Sequence, residues 1–184
     1  PPDPGEPCAP PVEAPAAGGG PMRAALDVAI SKLGEREQGG RNQGPIVTWS
    51  LERFTRHRPE DPRDGVSGWA AWCAGFVGRC FIEAGALVPW WSLSCTTLWR
   101  RLEGRAQQTL WMPGAALPEP GDLVFFGPDA DRLQHVGLVE RVEGLVLHTV
   151  EGNTSATPGG PSEFVARRTH DLMTANVYGF ARLP

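Results

Sequence analysis

The amino-acid sequence predicts an α+β domain in which N-terminal helices pack on an antiparallel β-sheet. In the first half of the chain, apolar residues recur at intervals of three and four, as they do from Cys73 to Ala84. This spacing is typical of a helix with one buried face. After Pro120, short runs of β-branched and aromatic residues are separated by glycine-containing turns, which is typical of strands. Helices followed by strands, rather than alternating with them, indicate an α+β arrangement.

Four helices are predicted in the first half of the chain. The pair Gly39-Gly40 is expected to end the first helix, and Pro45 suits the first turn of the second. Gly85 is a suitable stop for the third helix, which has the clearest apolar stripe. The polar segment 58–68 is rich in Pro and Gly and is predicted to be a loop. The helices are expected at Met22–Glu37, Pro45–Arg56, Ala70–Ala84 and Thr96–Leu102.

Five short strands are predicted after Pro120-Gly121. Gly-Pro, Glu-Gly and Pro-Gly-Gly clusters separate them, because glycine and proline favour turns over extended pairing. The strands are expected at Asp122–Phe126, Val136–Val142, Leu145–Val150, Phe164–Arg168 and Val177–Leu183.

The composition indicates one folded domain with an N-terminal tail. A length of 184 residues suits a single domain. Residues 1–21 contain eight of the nineteen prolines, and Ala and Gly fill the gaps, so this segment is predicted to be a disordered linker. The folded domain is expected at residues 22–184. Because the chain begins at Pro1 rather than Met, we expect a fragment or processed form, in which the linker tethers the domain to an N-terminal module.

The charge and cysteine content exclude several classes of function. A net charge of −4 leaves no basic footprint for nucleic acid. No apolar run approaches the roughly 20 residues of a membrane helix. Four scattered cysteines without a CxxC pair do not match the pattern of a disulfide scaffold or of a zinc site. A bridge between Cys80 and Cys95 is one alternative, and free buried cysteine is the other.

The clearest functional signal is the order of three polar groups along the chain. Cys73 falls where a helix is predicted to begin, and the positive end of a helix favours thiolate over thiol. His135 opens a predicted strand, and Glu151 and Asn153 follow on the next one. A cysteine, an imidazole that takes its proton and a polar group that orients the imidazole make up a thiol hydrolase site.

Each of these residues has a competing interpretation. Cys73 lies on the apolar stripe of its helix and, taken alone, fits a core thiol equally well; Cys80, further along the stripe, is assigned to the core. His148 competes with His135 as the base, but it lies between apolar residues and is read as a packing histidine. The remaining histidines, His57 and His170, lie among charged residues and are predicted to be solvated.

Four motifs in this order resemble the CHAP family of papain-like cysteine hydrolases, whose members are largely bacterial and phage peptidoglycan hydrolases. A segment before the cysteine helix, Arg41-Asn42-Gln43-Gly44-Pro45, is similar to one subgroup of that family. The resemblance spans about Leu33 to Pro184. The four motifs are Trp72-Cys73-Ala74-Gly75-Phe76-Val77, Pro120-Gly121-Asp122-Leu123-Val124-Phe125-Phe126, His135-Val136-Gly137-Leu138-Val139 and Glu151-Gly152-Asn153-Thr154-Ser155.

The resemblance implies hydrolysis of an amide bond in peptidoglycan without a cofactor. Cys73 is then the nucleophile and His135 the base. Asn153 is the favoured orienting residue because it is the steadier match to the family, and Glu151 shares that role or binds substrate. The bond cut is either the one between muramic acid and L-alanine or one within the peptide. The expected location is secreted, periplasmic or associated with the cell wall.

The chain departs from the family pattern next to the nucleophile. Many CHAP domains have a glutamine there that helps to stabilise the oxyanion, and this chain has Trp72. The Cys73 backbone N–H is therefore expected to supply much of the oxyanion hole. Trp72, Trp90 and Trp91 are predicted to contact substrate, since aromatic faces stack on sugar rings.

Some phage CHAP domains bind calcium through aspartates that precede the cysteine. Asp61 and Asp64 lie near that place, but their spacing does not form a calcium loop. They are predicted to belong to a solvated loop, with no metal bound.

Two functions of other classes remain open at the level of sequence. One is a toxin-like effector delivered to rival bacteria, with the linker as the junction to a delivery module. The other is a cell-wall binding module that kept the fold and lost most of its turnover.

Overall fold

The computed structural model describes residues 20–55, 72–157 and 159–184. The described part contains four helices, which precede the strands in the sequence. They are α1 (Pro21–Ser31), α2 (Pro45–Thr55), α3 (Cys73–Glu83) and α4 (Cys95–Arg101). The predicted loop 58–68 and most of the predicted linker 1–21 lie outside the described residues, as do His57, Asp61 and Asp64.

Six strands follow the helices and form one sheet. They are β1 (Gln107–Leu110), β2 (Leu123–Phe126), β3 (His135–Glu143), β4 (Val146–Thr154), β5 (Phe164–Asp171) and β6 (Val177–Arg182). Every neighbouring pair is antiparallel, in the order β1-β6-β2-β3-β4-β5. The predicted α+β class, with N-terminal helices packed on an antiparallel sheet, is confirmed.

The largest differences from the predicted elements concern the first helix, an additional strand and the end of the fourth strand. The first helix ends at Ser31 rather than Glu37, and Arg36 forms a bridge with Phe164, so the end of the predicted helix joins the edge of the sheet. Strand β1 was not predicted, because its sequence Gln-Gln-Thr-Leu lacks an apolar run. The fourth strand continues through Gly152 to Thr154, past its predicted end at Val150.

The two faces of the sheet carry separate apolar clusters. Side chains such as Phe125, Leu138 and Val150 join the helices in the larger cluster. On the opposite face of the sheet, residues such as Val139 and Leu147 form a smaller cluster with Phe180. Because α3 packs against both β3 and β4, the start of this helix meets the part of the sheet where the predicted site residues lie.

One glycine allows α3 to lie close to the sheet. A Cβ atom on Gly152 would lie 2.6 Å from Phe76 Cβ and 2.7 Å from Trp72 Cζ3. Strand β4 therefore rests directly on the first turn of α3, and this contact fixes the distance between the helix start and the site residues of β4. Among the described residues, none of the helices has the length and apolar character needed to cross a membrane.

Candidate active site

Cys73 is the first residue of α3 and is fully buried. The residue before it, Trp72, is also buried, and its indole Nε1 donates a hydrogen bond of 2.6 Å to Glu37 Oε1. Trp72 therefore anchors the helix start to the segment after α1. A sulfur at the first position of a helix lies in the positive field of the unpaired backbone N–H groups.

A second thiol lies beside Cys73. The Sγ atoms of Cys73 and Cys95 are 3.7 Å apart, and Cys95 is the first residue of α4. This hydrogen bond is the largest cause that lowers the pKa of Cys73 well below its usual value, while burial opposes it and His135 adds to it. The same bond raises the pKa of Cys95, as expected if Cys95 stays protonated and donates to the Cys73 thiolate.

His135 is the first residue of β3 and faces both the nucleophile and a carboxylate. Its Nε2 lies 2.8 Å from Glu151 Oε2, so Nδ1 is the ring nitrogen left for Cys73. Burial alone would lower the pKa of His135, but the negative Cys73 and Glu151 groups raise it to about 10. The His135 side chain is 22% exposed to solvent. Cys73 is fully covered, so His135 is the more exposed of the two groups.

Glu151 is buried on β4 and fully hydrogen-bonded. One oxygen contacts His135, and the other accepts hydrogen bonds from His170 Nε2 at 2.6 Å and Thr149 Oγ1 at 2.5 Å. Burial would raise the pKa of this carboxyl group, but the hydrogen bonds from the two histidines hold it well below its usual value. Gly137 makes room for the carboxylate, since a Cβ there would lie 2.7 Å from Glu151 Cγ.

Asn153 lies on the same strand as Glu151 but has a different backbone conformation. Its φ of 55° is left-handed, and the register of β4 with β5 shifts between Glu151 and Thr154. This irregularity interrupts the regular alternation of the strand between the two residues. Among the hydrogen bonds of the described residues, none involves the Asn153 side chain. The structure thus gives Glu151 a hydrogen bond to His135 and gives Asn153 none among the described residues.

The tryptophans predicted to contact substrate differ in their exposure. Trp72 and Trp91 are corrected to packing residues, since both are buried and their indole N–H groups are bonded internally, that of Trp91 to the Ala74 carbonyl oxygen at 2.7 Å. Trp90 is half-buried, with the Arg105 guanidinium over its ring, and its substrate contact stays a prediction.

Two groups of the site were not singled out by the sequence. His170, predicted to be solvated, contacts Glu151, and Cys95, considered only as a partner of Cys80, contacts Cys73 instead. Cys80 is a free buried thiol whose pKa is raised by burial, as expected for a core cysteine. His148 lies apart from Glu151 and approaches Glu143. A signal for His170 was available only from strand pairing, which sets it on the Glu151 face of the sheet.

The group as a whole can carry out nucleophilic chemistry. A thiolate next to an imidazolium, with a buried carboxylate behind the ring, is poised to attack an electrophilic carbon and to move one proton. Among the described residues, no cluster of three or more His, Cys, Asp or Glu side chains could hold a metal ion.

Of the site residues, Cys73, His135 and Glu151 lie within the stretch that a family model matches, and His170 lies beyond it. The model of the CHAP domain family matches residues 64–153. None of the curated proteins matches the chain. The crystal structure of Ly7917 aligns with 17% identity over 89% of this chain and 62% of that chain, with a TM-score of 0.45. The crystal structure of Ly7917 with the hydrolyzing product of MDP aligns with 15% identity over 89% and 63%, with a TM-score of 0.44. The chain thus spans less than two thirds of the length of Ly7917.

Proposed function

Because the chain carries a CHAP domain over residues 64–153, as its motifs predicted, we propose that it is a cysteine-dependent peptidoglycan hydrolase that cleaves an amide bond. The observation that carries the proposal is the hydrogen bond of His135 with the buried Glu151 carboxylate, next to Cys73, whose pKa His135 helps to lower. CHAP domains act on the cell wall, so the site of action is outside the cytoplasm, where the substrate lies.

The reaction begins with the thiolate form of Cys73. Its sulfur attacks the carbonyl carbon of the substrate amide and forms a tetrahedral intermediate, whose oxyanion accepts a hydrogen bond from the Cys73 backbone N–H at the start of α3. The proton held by His135 passes to the leaving nitrogen, and the C–N bond breaks to give a thioester and a free amine.

The second half of the reaction uses the same residues in reverse order. Neutral His135 takes a proton from water, and the resulting hydroxide attacks the thioester carbon. The C–S bond breaks, the carboxylic acid product leaves, and Cys73 returns as a thiolate beside protonated His135. Glu151 keeps its hydrogen bond to Nε2 throughout, so Nδ1 remains the nitrogen that exchanges the proton.

Digestion of purified sacculi followed by mass spectrometry tests the proposal. The wild-type protein is expected to release soluble fragments, Cys73→Ala none, and the matched control Cys80→Ala as many as the wild type, because Cys80 is a core thiol. New muramic acid carboxyl groups paired with N-terminal L-alanine would identify an amidase, and cleavage within the peptide an endopeptidase. Equal release by the Cys73→Ala protein would contradict the mechanism.

The same digestion separates the other functions that the sequence left open. Binding to sacculi without release of fragments would identify a cell-wall binding module. An effector delivered to rival bacteria would release fragments by the same chemistry, and its distinguishing mark is a cognate inhibitor that blocks the wild-type reaction.

A further inference from the structure

The Glu151 carboxylate is shared between two histidines from different strands. His135 of β3 contacts Oε2 at 2.8 Å, and His170 of β5 contacts Oε1 at 2.6 Å. The proposed mechanism uses only the first of these contacts. His170 therefore has a position in the site for which the mechanism does not account.

Because Glu151 is buried, its hydrogen bond from His170 matters for the stability of the carboxylate. Only 2% of the Glu151 side chain is exposed, and a buried carboxylate is costly unless hydrogen bonds satisfy its oxygens. Without His170, the Thr149 hydroxyl is the one side-chain donor left for Oε1 among the described residues. The carboxylate would then be held by two side-chain hydrogen bonds instead of three, and the direction of Oε2 toward His135 would be less firmly fixed.

An aromatic ring holds the two histidines in place. The Phe126 ring centroid lies 4.7 Å from that of His170 and 5.8 Å from that of His135. The His170 side chain is 20% exposed, so its ring is mostly but not fully covered. The rings of His135 and His170 and the Glu151 carboxylate between them thus form one packed unit on the Phe126 side of the sheet.

We propose that His170 is a positioning residue of the hydrolase, which fixes the Glu151 carboxylate so that Glu151 in turn fixes the ring of His135. The inference rests on the proposed function, since it assigns His135 as the base. A merely structural role for His170 would affect the stability of the fold, whereas a positioning role also controls the reactivity of Cys73 through His135.

The test compares His170→Ala and His170→Gln with a matched control, His148→Gln. His148 is a partly buried histidine of the same sheet that contacts Glu143 rather than Glu151. Two quantities are measured for each protein: kcat and KM on solubilised peptidoglycan, and the rate at which iodoacetamide alkylates Cys73 at pH 6. The second readout needs no substrate.

We expect His170→Ala to lower kcat by roughly tenfold to a hundredfold with little change in KM, which is below the full effect of losing a general base. Alkylation of Cys73 at pH 6 is expected to slow in parallel. His170→Gln should recover part of both rates, because its amide nitrogen can donate to Oε1. The control should match the wild type in both.

The inference would be overturned if His170→Ala had the same kcat and the same Cys73 alkylation rate as the wild type. It would also be overturned if the loss of kcat in His170→Gln only followed the fraction of unfolded protein, measured in a thermal melt. If the wild-type protein hydrolyses no peptidoglycan, the proposed function fails, and the alkylation rates still decide whether His170 acts on Cys73 through Glu151.

Discussion

Each oxygen of the Glu151 carboxylate accepts a hydrogen bond from a different imidazole ring, and the ring of His135 is turned toward Cys73 as a result. An orienting residue contributes by selecting the tautomer and angle of the base, so its effect should appear in kcat rather than in KM. At the scale of single residues, the geometry favours Glu151 over Asn153 for this role.

Substitution of the two residues distinguishes them. Glu151→Gln replaces an acceptor oxygen with an amide donor, and we expect kcat to fall by roughly 10²–10⁴-fold. Asn153→Gly removes the competing side chain and suits the left-handed φ of 55°, so kcat is expected to stay within about tenfold of the wild type. Kinetics on solubilised peptidoglycan decide the matter. If Asn153→Gly were inactive and Glu151→Gln active, Asn153 would be the residue that orients His135.

The sequence allowed prediction of those site residues that local patterns mark. Cys73 stands at a helix start and His135 at a strand start, and both positions can be read from the periodicity around them. His170 and Cys95 could not be found in this way. Their contacts depend on how β5 pairs with β4 and on where α4 begins relative to α3, and neither is encoded in a short stretch of chain.

At the scale of elements, the contact between α3 and β4 sets the geometry of the site. The helix supplies Cys73, the strand supplies Glu151, and Gly152 allows their backbones to approach. A glycine inside a strand often marks such a close approach. Glu151 is the last paired residue of β4 before the register with β5 shifts, and Asn153 beyond it has a left-handed conformation.

Adding one methyl group to this contact should disturb the fold and the site together. In Gly152→Ala, the new Cβ would meet Phe76 and Trp72 at under 3 Å, and both side chains are buried. We expect the free energy of unfolding to fall by about 1–3 kcal/mol. Urea denaturation measures it, with Val146→Thr as the control, because Val146 lies on the same strand and is exposed. An unchanged free energy of unfolding in Gly152→Ala would show that α3 and β4 are not in close contact.

At the scale of the whole molecule, one sheet gathers groups that are far apart in the chain. The α+β class and most of the strands can be predicted from the apolar patterns of the sequence. The strand order cannot, because β6 inserts between β1 and β2 through pairings between distant segments. The polar β1 forms only against β6, so its own residues give little indication of it.

The central claim is that this fold places Cys73 beside His135 as a thiolate and imidazolium pair. The most direct test is the rate of Cys73 alkylation by iodoacetamide between pH 5 and 9, in the wild type and in His135→Ala. Trypsin separates the Cys73 peptide from the peptide that carries Cys80 and Cys95, since Arg79 lies between them. Fragmentation of the second peptide assigns its label to Cys80, which serves as the internal reference, or to Cys95.

We predict that Cys73 in the folded wild type is alkylated at pH 6 almost as fast as at pH 8. In His135→Ala, the alkylation rate of Cys73 should be much lower at pH 6 than at pH 8. In urea, Cys73 should behave as an ordinary thiol with a pKa of about 8.5. A rate that falls about tenfold per pH unit below pH 8 in the folded wild type, with the same profile in His135→Ala, would contradict the account.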